Sequence, residues 1–142
     1  MFLDITKNFV YICYETFRIM TYKPTESELE IMQILWESGP LTVRQVNEQL
    51  NDHRRVGYTT TLKIMQIMTE KGLLSRDTDQ RSHVYSPTLQ PSEVQSTILD
   101  HVLKTVFKGN RSSMVMRALG NSNPSTEELE EIRILIEKLE KK

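Results

Sequence analysis

Apolar and polar positions alternate along most of this chain with the period of short helices, interrupted once by a stretch of strand period. Leu29, Met32, Leu35 and Trp36 recur at the spacing of one helix face, from a start at Thr25 to a break at Ser38-Gly39-Pro40. Thr25 and Glu28 form a capping box, and Glu26, Glu28 and Glu30 place negative charge at the positive end of that helix. Leu41 reads as a short extended bridge, after which Thr42 caps a second helix carrying Val43, Val46 and Leu50 inward. A polar, basic connector from Asn51 to Val56 leads to a third helix, Tyr58 to Lys71. Its stripe is Leu62, Met65 and Met68 with Ile64 on the flank, and Gly72 stops it. The opposite side opens with Thr59, Thr60 and Thr61 and continues through Lys63 and Gln66. Three β-branched residues in series each cost a few tenths of a kcal/mol in helix propensity, so something other than propensity retains them. Short hydroxyls with a cation and an amide suit DNA.

After Gly72 the period changes. Leu73 to Asp77 and Ser82 to Ser86 can each be extended, with turn composition between them, and Pro87 and Pro91 close the segment. Three short helices and a two-stranded hairpin follow the winged helix-turn-helix plan, in which the third helix enters the major groove and the hairpin reaches the flanking backbone. Beyond it the chain is helical again. Leu99, Val102, Leu103, Val106 and Phe107 continue an apolar face from Ile98 to Gly109, and a shorter helix spans Ser112 to Leu119. Ser125 and Glu128 form another capping box before Leu129, Ile132, Leu135, Ile136 and Leu139. Three amphipathic helices of this size have little internal core, so they are expected to pack against a second copy. The fold class expected is mostly α with a small β wing: a winged helix-turn-helix domain over residues 23–90, then a helical dimerisation domain over 91–142.

Composition narrows the function without deciding it. The chain has 142 residues and a net charge of −1, so any basic footprint for nucleic acid must be local. Between Pro40 and Gln90 the cations Arg44, Arg54, Arg55, Lys63, Lys71, Arg76 and Arg81 only slightly outnumber the carboxylates. The single cysteine, Cys13, excludes an internal disulfide framework and a cysteine-cluster metal site. Residues 1–22 hold an apolar run, Phe9 to Cys13, but Asp4, Lys7, Glu15 and Arg18 make the segment too charged for a membrane span, and it lacks the pattern of a signal peptide. It reads as an added N-terminal arm, with Met20 as an alternative start, on a cytoplasmic protein without a membrane segment.

The residues that carry a DNA interface can be named, each beside a plainer role. Thr42, with Arg44 and Gln45, sits at a helix start where unpaired N–H groups attract a phosphate; the plainer roles are a cap and a solvated charge. Thr59, Thr60 and Lys63 face outward, with Thr methyls suited to thymine and Lys63 suited to guanine or a phosphate, against an ordinary polar face. Thr61 turns partly inward. Tyr58 is read chiefly as a ring stapling the helix start to the core, its hydroxyl reaching a phosphate. In the wing, Arg76, Arg81 and His83 supply cations near the backbone or the minor groove; Arg81 at the turn is the best of them, Arg76 could equally pair with Asp77 or Asp79, and a lone His83 is more often structural. His53 and His101 have no ligand spacing, and no catalytic residue, metal site or cofactor motif is found. Three classes compete: a DNA-binding repressor, a winged-helix protein-interaction module that would need an apolar patch on the third helix, and a small enzyme, which lacks paired catalytic groups.

Together these blocks resemble the BlaI/MecI/CopY-type penicillinase repressors, a family of bacterial transcription regulators. The likeness runs from Pro24 to Lys142 through PTESELEIMQILWESGPLTVRQV, GYTTTLKIMQIMTEKGLL, RDTDQRSHVYSP, VFKGNRSSMVMRAL and STEELEEIRILIEKLE, in that order. The resemblance implies a homodimer that binds palindromic double-stranded operator DNA, and a regulatory protease or sensor protein as a further partner. Family members that control β-lactam resistance are cut at an Asn-Phe bond in the tail, where this chain reads Met116-Arg117-Ala118-Leu119. Copper-sensing members end in a cysteine-rich motif, and this tail has no cysteine. Many members carry Arg-Leu late in the third helix, where this chain has Ile67-Met68.

Overall fold

The computed structural model describes residues 23–79 and 81–142; the expected N-terminal arm, with Cys13 and Met20, lies outside the described residues. The chain divides into two compact units between Leu99 and Asp100. The first is built on three helices, α1 (Glu26–Ser38), α2 (Val43–Asn51) and α3 (Tyr58–Glu70), and three strands, β1 (Leu41–Thr42), β2 (Leu74–Asp77) and β3 (Val84–Pro87).

Each helix start follows from its sequence. At α1 the Glu28 N–H donates to Thr25 Oγ1 at 3.4 Å and the Thr25 N–H donates to Glu28 Oε2 at 2.8 Å, which closes the expected capping box. Gly39 ends the helix at φ +81°, where its N–H reaches Leu35 O at 3.0 Å; a side chain there would be strained. Thr42 and Gln45 repeat the box at α2. Gly57 caps α3 without a side-chain bond, and Gly72 follows its end at φ +79°.

The sheet differs from a simple hairpin. Its order is β1-β3-β2, all antiparallel, with Leu41 opposite Tyr85 and Thr42 opposite Val84 on one side of β3, and Arg76 opposite Tyr85 on the other. The segment after Pro40 must be extended to set Thr42 as a cap, so its backbone groups are free to pair with β3. The expected two-stranded wing thereby gains a third, short strand that ties it to the start of α2.

The core of this unit gathers Ile31, Met32, Leu35, Val43, Val46, Leu50, Met65, Met68, Leu73, Leu74 and Tyr85. Two stripes are rotated from the expected ones. On α1, Ile31 is fully buried while Leu29 and Trp36 pack at the edge. Trp36 stays there because its Nε1–H donates to Leu89 O at 2.9 Å. On α3 the buried positions are Thr61, Met65 and Met68, with Leu62 and Ile64 half-buried. That is an i, i+4, i+7 stripe, so Thr61 leaves the outward hydroxyl face and enters the core. Glu28 is also buried, and its Oε1 accepts from Lys71 Nζ at 2.9 Å, which joins the start of α1 to the end of α3.

Helix α4 (Pro91–Thr105) starts in the first unit, where Val94 is in the core and Ile98 packs against it, and ends in the second. The second unit continues with α5 (Arg111–Gly120) and α6 (Thr126–Glu140). Asn110 caps α5 through Ser113 N at 2.9 Å, and Ser125 with Glu128 forms the expected box at α6. Between α4 and α5 the chain reverses through Lys108 and Gly109, both at positive φ, where Gly109 N–H donates to Leu103 O at 2.9 Å. Leu103 is buried there within its own chain, so it is withdrawn from the face expected to pair with a second copy. Val102, Phe107 and Ile132 are half-buried, whereas Leu99, Val106, Leu129, Ile136 and Leu139 are exposed.

Candidate nucleic-acid interface

The start of α2, the start of α3 and the wing enclose one open cleft of about 780 Å³. Thr42, Arg44 and Tyr58 line it from the helices, and Arg81 and His83 from the wing. The β1–β3 pairing explains this convergence, since it fixes the wing beside the residue that caps α2. Thr59, Thr60 and Lys63 lie on the exposed side of α3 and do not line the cleft, and Arg76 stands exposed on β2.

Local contacts sort these side chains by availability. Thr42 is a cap: Gln45 N–H donates to its hydroxyl at 3.4 Å, and both its N–H and its hydroxyl donate to Gln45 Oε1 at 2.9 Å. The Gln45 amide oxygen is therefore directed at the cap. Arg44 Nε donates to Glu48 Oε1 at 3.3 Å; both side chains are mostly exposed, and the i,i+4 spacing gives such a pair little net strength. Tyr58 departs from the staple expected of it. It is half exposed and lies outside the core cluster, because the inward turn of Thr61 rotates the first turn of α3 and brings the ring to the cleft wall with Leu62.

Several cations of this region are already engaged. Arg54 donates to Glu30 Oε2 through Nε at 3.0 Å and Nη2 at 2.6 Å, and the hydrogen-bonded Glu30 carboxylate holds the guanidinium pKa above its ordinary value. Lys71 pairs with Glu28. Among the described residues, Arg55, Lys63, Arg76 and Arg81 make no ion pair, and all four are exposed. Arg76 does not take up the alternative pairing with Asp77, whose Oδ1 instead accepts from Asp79 N at 2.9 Å in the turn.

Asn47, Glu48 and Ser82 also line the cleft, and sequence reading passed over them. Glu48 is detectable as the i+4 partner of Arg44. Asn47 stands one residue past Val46, so an amide at the flank of a buried stripe was the available signal. Among the described residues no cluster of His, Cys, Asp and Glu could hold a metal ion, and no helix is long and apolar enough to cross a membrane.

Residues 24–138 match the model of the penicillinase repressor family. The chain belongs to that family. Among penicillinase repressor relatives, the methicillin resistance regulatory protein MecI of Mammaliicoccus sciuri is 23% identical over 118 residues, which cover 83% of this chain and 96% of that protein. A penicillinase repressor of Bacillus licheniformis is 25% identical over 113 residues, covering 80% and 88%. Among solved structures, the DNA-binding domain of the repressor BlaI matches with a TM-score of 0.46 at 22% identity, covering 51% of this chain and 89% of that domain.

Proposed function

We propose that this protein is a sequence-specific DNA-binding transcriptional repressor that acts as a cytoplasmic homodimer on an operator of two-fold symmetry. One observation carries the reading: the hydroxyl-and-lysine edge of α3, Thr59, Thr60 and Lys63, is uncovered beside a cleft edged by Arg44 and Arg81. In this reading α3 enters the major groove, where Thr methyls meet thymine and Lys63 meets guanine O6 and N7 or a phosphate. The start of α2 holds a phosphate at the outward N–H groups of its first turn, and the capping box orients that turn without reading sequence. Arg81 and Arg76 follow the flanking backbone from the wing. The family and its repressor and regulatory relatives support the same assignment. The exposed apolar residues of α6 support pairing through the second unit, and a protease or sensor protein that relieves repression is the further partner expected.

An interaction module without DNA binding would place apolar residues on the outward side of α3, where Thr59, Thr60, Lys63 and Gln66 stand instead. The test is selection of duplexes by the full chain from a randomised library, followed by footprinting. A symmetric motif with two half-sites, whose affinity falls steeply with salt, is expected. Binding with no enriched sequence would overturn the assignment.

A further inference from the structure

Thr61 is completely buried, and with Glu28 it makes up the buried polar residues of the described chain. A hydroxyl on a core stripe weakens packing unless it is hydrogen-bonded, and valine would fill the same volume without that requirement. Here the bond is made: Thr61 Oγ1 accepts from Asn47 Nδ2 at 2.9 Å and lies 3.5 Å from Gly57 O. The same Asn47 nitrogen donates to Val56 O at 2.9 Å. One turn further along α2, Asn51 Nδ2 donates to Val56 O at 3.0 Å and to Asn47 O at 2.7 Å, while Val56 N–H donates to Asn51 Oδ1 at 3.1 Å. Two amides on one face of α2 thus hold both backbone groups of the last connector residue, and one of them also holds the first turn of α3.

Apolar contact is non-directional, whereas these bonds have fixed lengths and angles. A core of Val46, Met65 and Met68 alone holds α3 close to α2 while tolerating small rotations and slides. The Asn47 clasp removes that freedom at the end of α3 where Thr59 and Thr60 stand. We propose that Asn47 and Thr61 are positioning residues for sequence reading, setting the angle at which the outer edge of α3 meets DNA; the fully buried Thr61 does so without touching DNA itself, which makes its variants the deciding ones. This rests on the DNA-reading role given above. Base discrimination depends on sub-ångström placement, so a clasp of this kind acts on specificity more than on affinity or folding.

The full-length protein, its Thr61→Val, Thr61→Ser and Asn47→Ala variants and the Asn47→Ala/Thr61→Val double variant are tested by selection from a randomised duplex library, with thermal melting and the salt dependence of binding measured alongside. Freed of Thr61, the Asn47 amide keeps its bond to Val56 O, so Thr61→Val is expected to fold and to keep the wild-type salt slope. Its preference for the wild-type selected duplex over random duplex should fall about tenfold, and Thr61→Ser should return it to within about twofold. Asn47→Ala, which also gives up the bond to Val56 O, should lose at least as much, with the double variant scarcely worse than Asn47→Ala alone, because Thr61 acts through that amide. An unchanged preference in Thr61→Val would overturn the inference, as would equal losses on both duplexes with no rescue by serine, or additive losses in the double variant. If Thr61→Val does not fold, Thr61→Ser and Asn47→Ala decide: unchanged preference in Asn47→Ala overturns it, and a loss with wild-type preference in Thr61→Ser supports it. A wild-type protein that enriches no sequence would overturn the repressor reading and this inference with it, whereas a discriminating wild type with an equally discriminating Thr61→Val overturns this inference alone.

Discussion

At the scale of single residues, the uncovered edge of α3 and the paired cations around it have different consequences for binding. Thr60 and Lys63 are exposed and, among the described residues, make no side-chain hydrogen bond or ion pair, so their truncation should barely affect folding. If they read bases, each change to Ala should cost about 1–3 kcal/mol on the selected operator and much less on random duplex. Competition binding on the two duplexes measures this, and equal losses would place the specificity elsewhere. Glu48 should act in the opposite sense. It holds Arg44 at 3.3 Å and contributes a negative charge to the cleft, so Glu48→Gln should free the guanidinium and remove a repulsion toward phosphate. Binding to all duplexes should tighten, with a salt slope steeper by up to about one unit. A slope no steeper than wild type would show that Arg44 does not meet the backbone.

At the scale of elements, one ion pair ties the start of α1 to the end of α3. Lys71 Nζ lies 2.9 Å from the buried carboxylate of Glu28, and the Lys71 side chain is 34% exposed. Lys71→Met removes that contact from the buried carboxylate and should cost about 1–3 kcal/mol, at the low end for a pair that water reaches from one side. Denaturant unfolding checks it, and a variant as stable as wild type would show that the remaining contacts of Glu28 suffice. The opposite sign is expected at Lys108, which holds φ +50° without being glycine, while Gly109 beside it supplies the turn. Lys108→Gly should stabilise the chain by about 0.5 kcal/mol, relief of left-handed strain being partly offset by a looser unfolded state. Much of this level was legible in the sequence. Capping boxes at Thr25 and Ser125, the cap at Thr42, and the glycine stops at Gly39 and Gly72 depend on residues close together in the chain, and all stand as expected; that Gln45 completes a box at Thr42 is an addition. What escaped depends on residues far apart. Leu41 pairs with Tyr85, Trp36 is held by Leu89, and Thr61, expected to turn only partly inward, is fully buried with its hydroxyl bonded to Asn47; no local period contains those partners. The candidate site was legible to the same degree. Its outward residues follow from helix phase, whereas the cleft joining Thr42, Tyr58 and Arg81 needed the β1–β3 pairing to appear.

At the scale of the whole molecule, the two units make unequal use of their apolar side chains. Ile31, Met32, Val46, Met65 and Met68 are fully buried in the first unit, while Leu103 is the buried hydrophobic residue among those described from Asp100 onward. In α6, Leu129, Ile134, Leu135, Ile136 and Leu139 are between 44% and 62% exposed, more apolar surface than one helix of a lone chain ordinarily shows to water. Covering it with a second copy would bring two α3 edges onto one duplex, and two half-sites bound together bind far more tightly than either alone. A charge placed on that surface should therefore weaken DNA binding from a distance. Ile136→Glu, alone or with Leu139→Glu, should leave the melting of the first unit and the affinity for an isolated half-site unchanged. The mass measured by light scattering should fall to that of one chain at concentrations where the wild type is paired. Affinity for the full symmetric site should drop by at least about tenfold, since the second half-site then binds without help from the first. A full-site affinity that survives while the protein is a single chain would mean that the repressor reads its operator one subunit at a time, and the symmetry argument would fall even if every contact on α3 were correct.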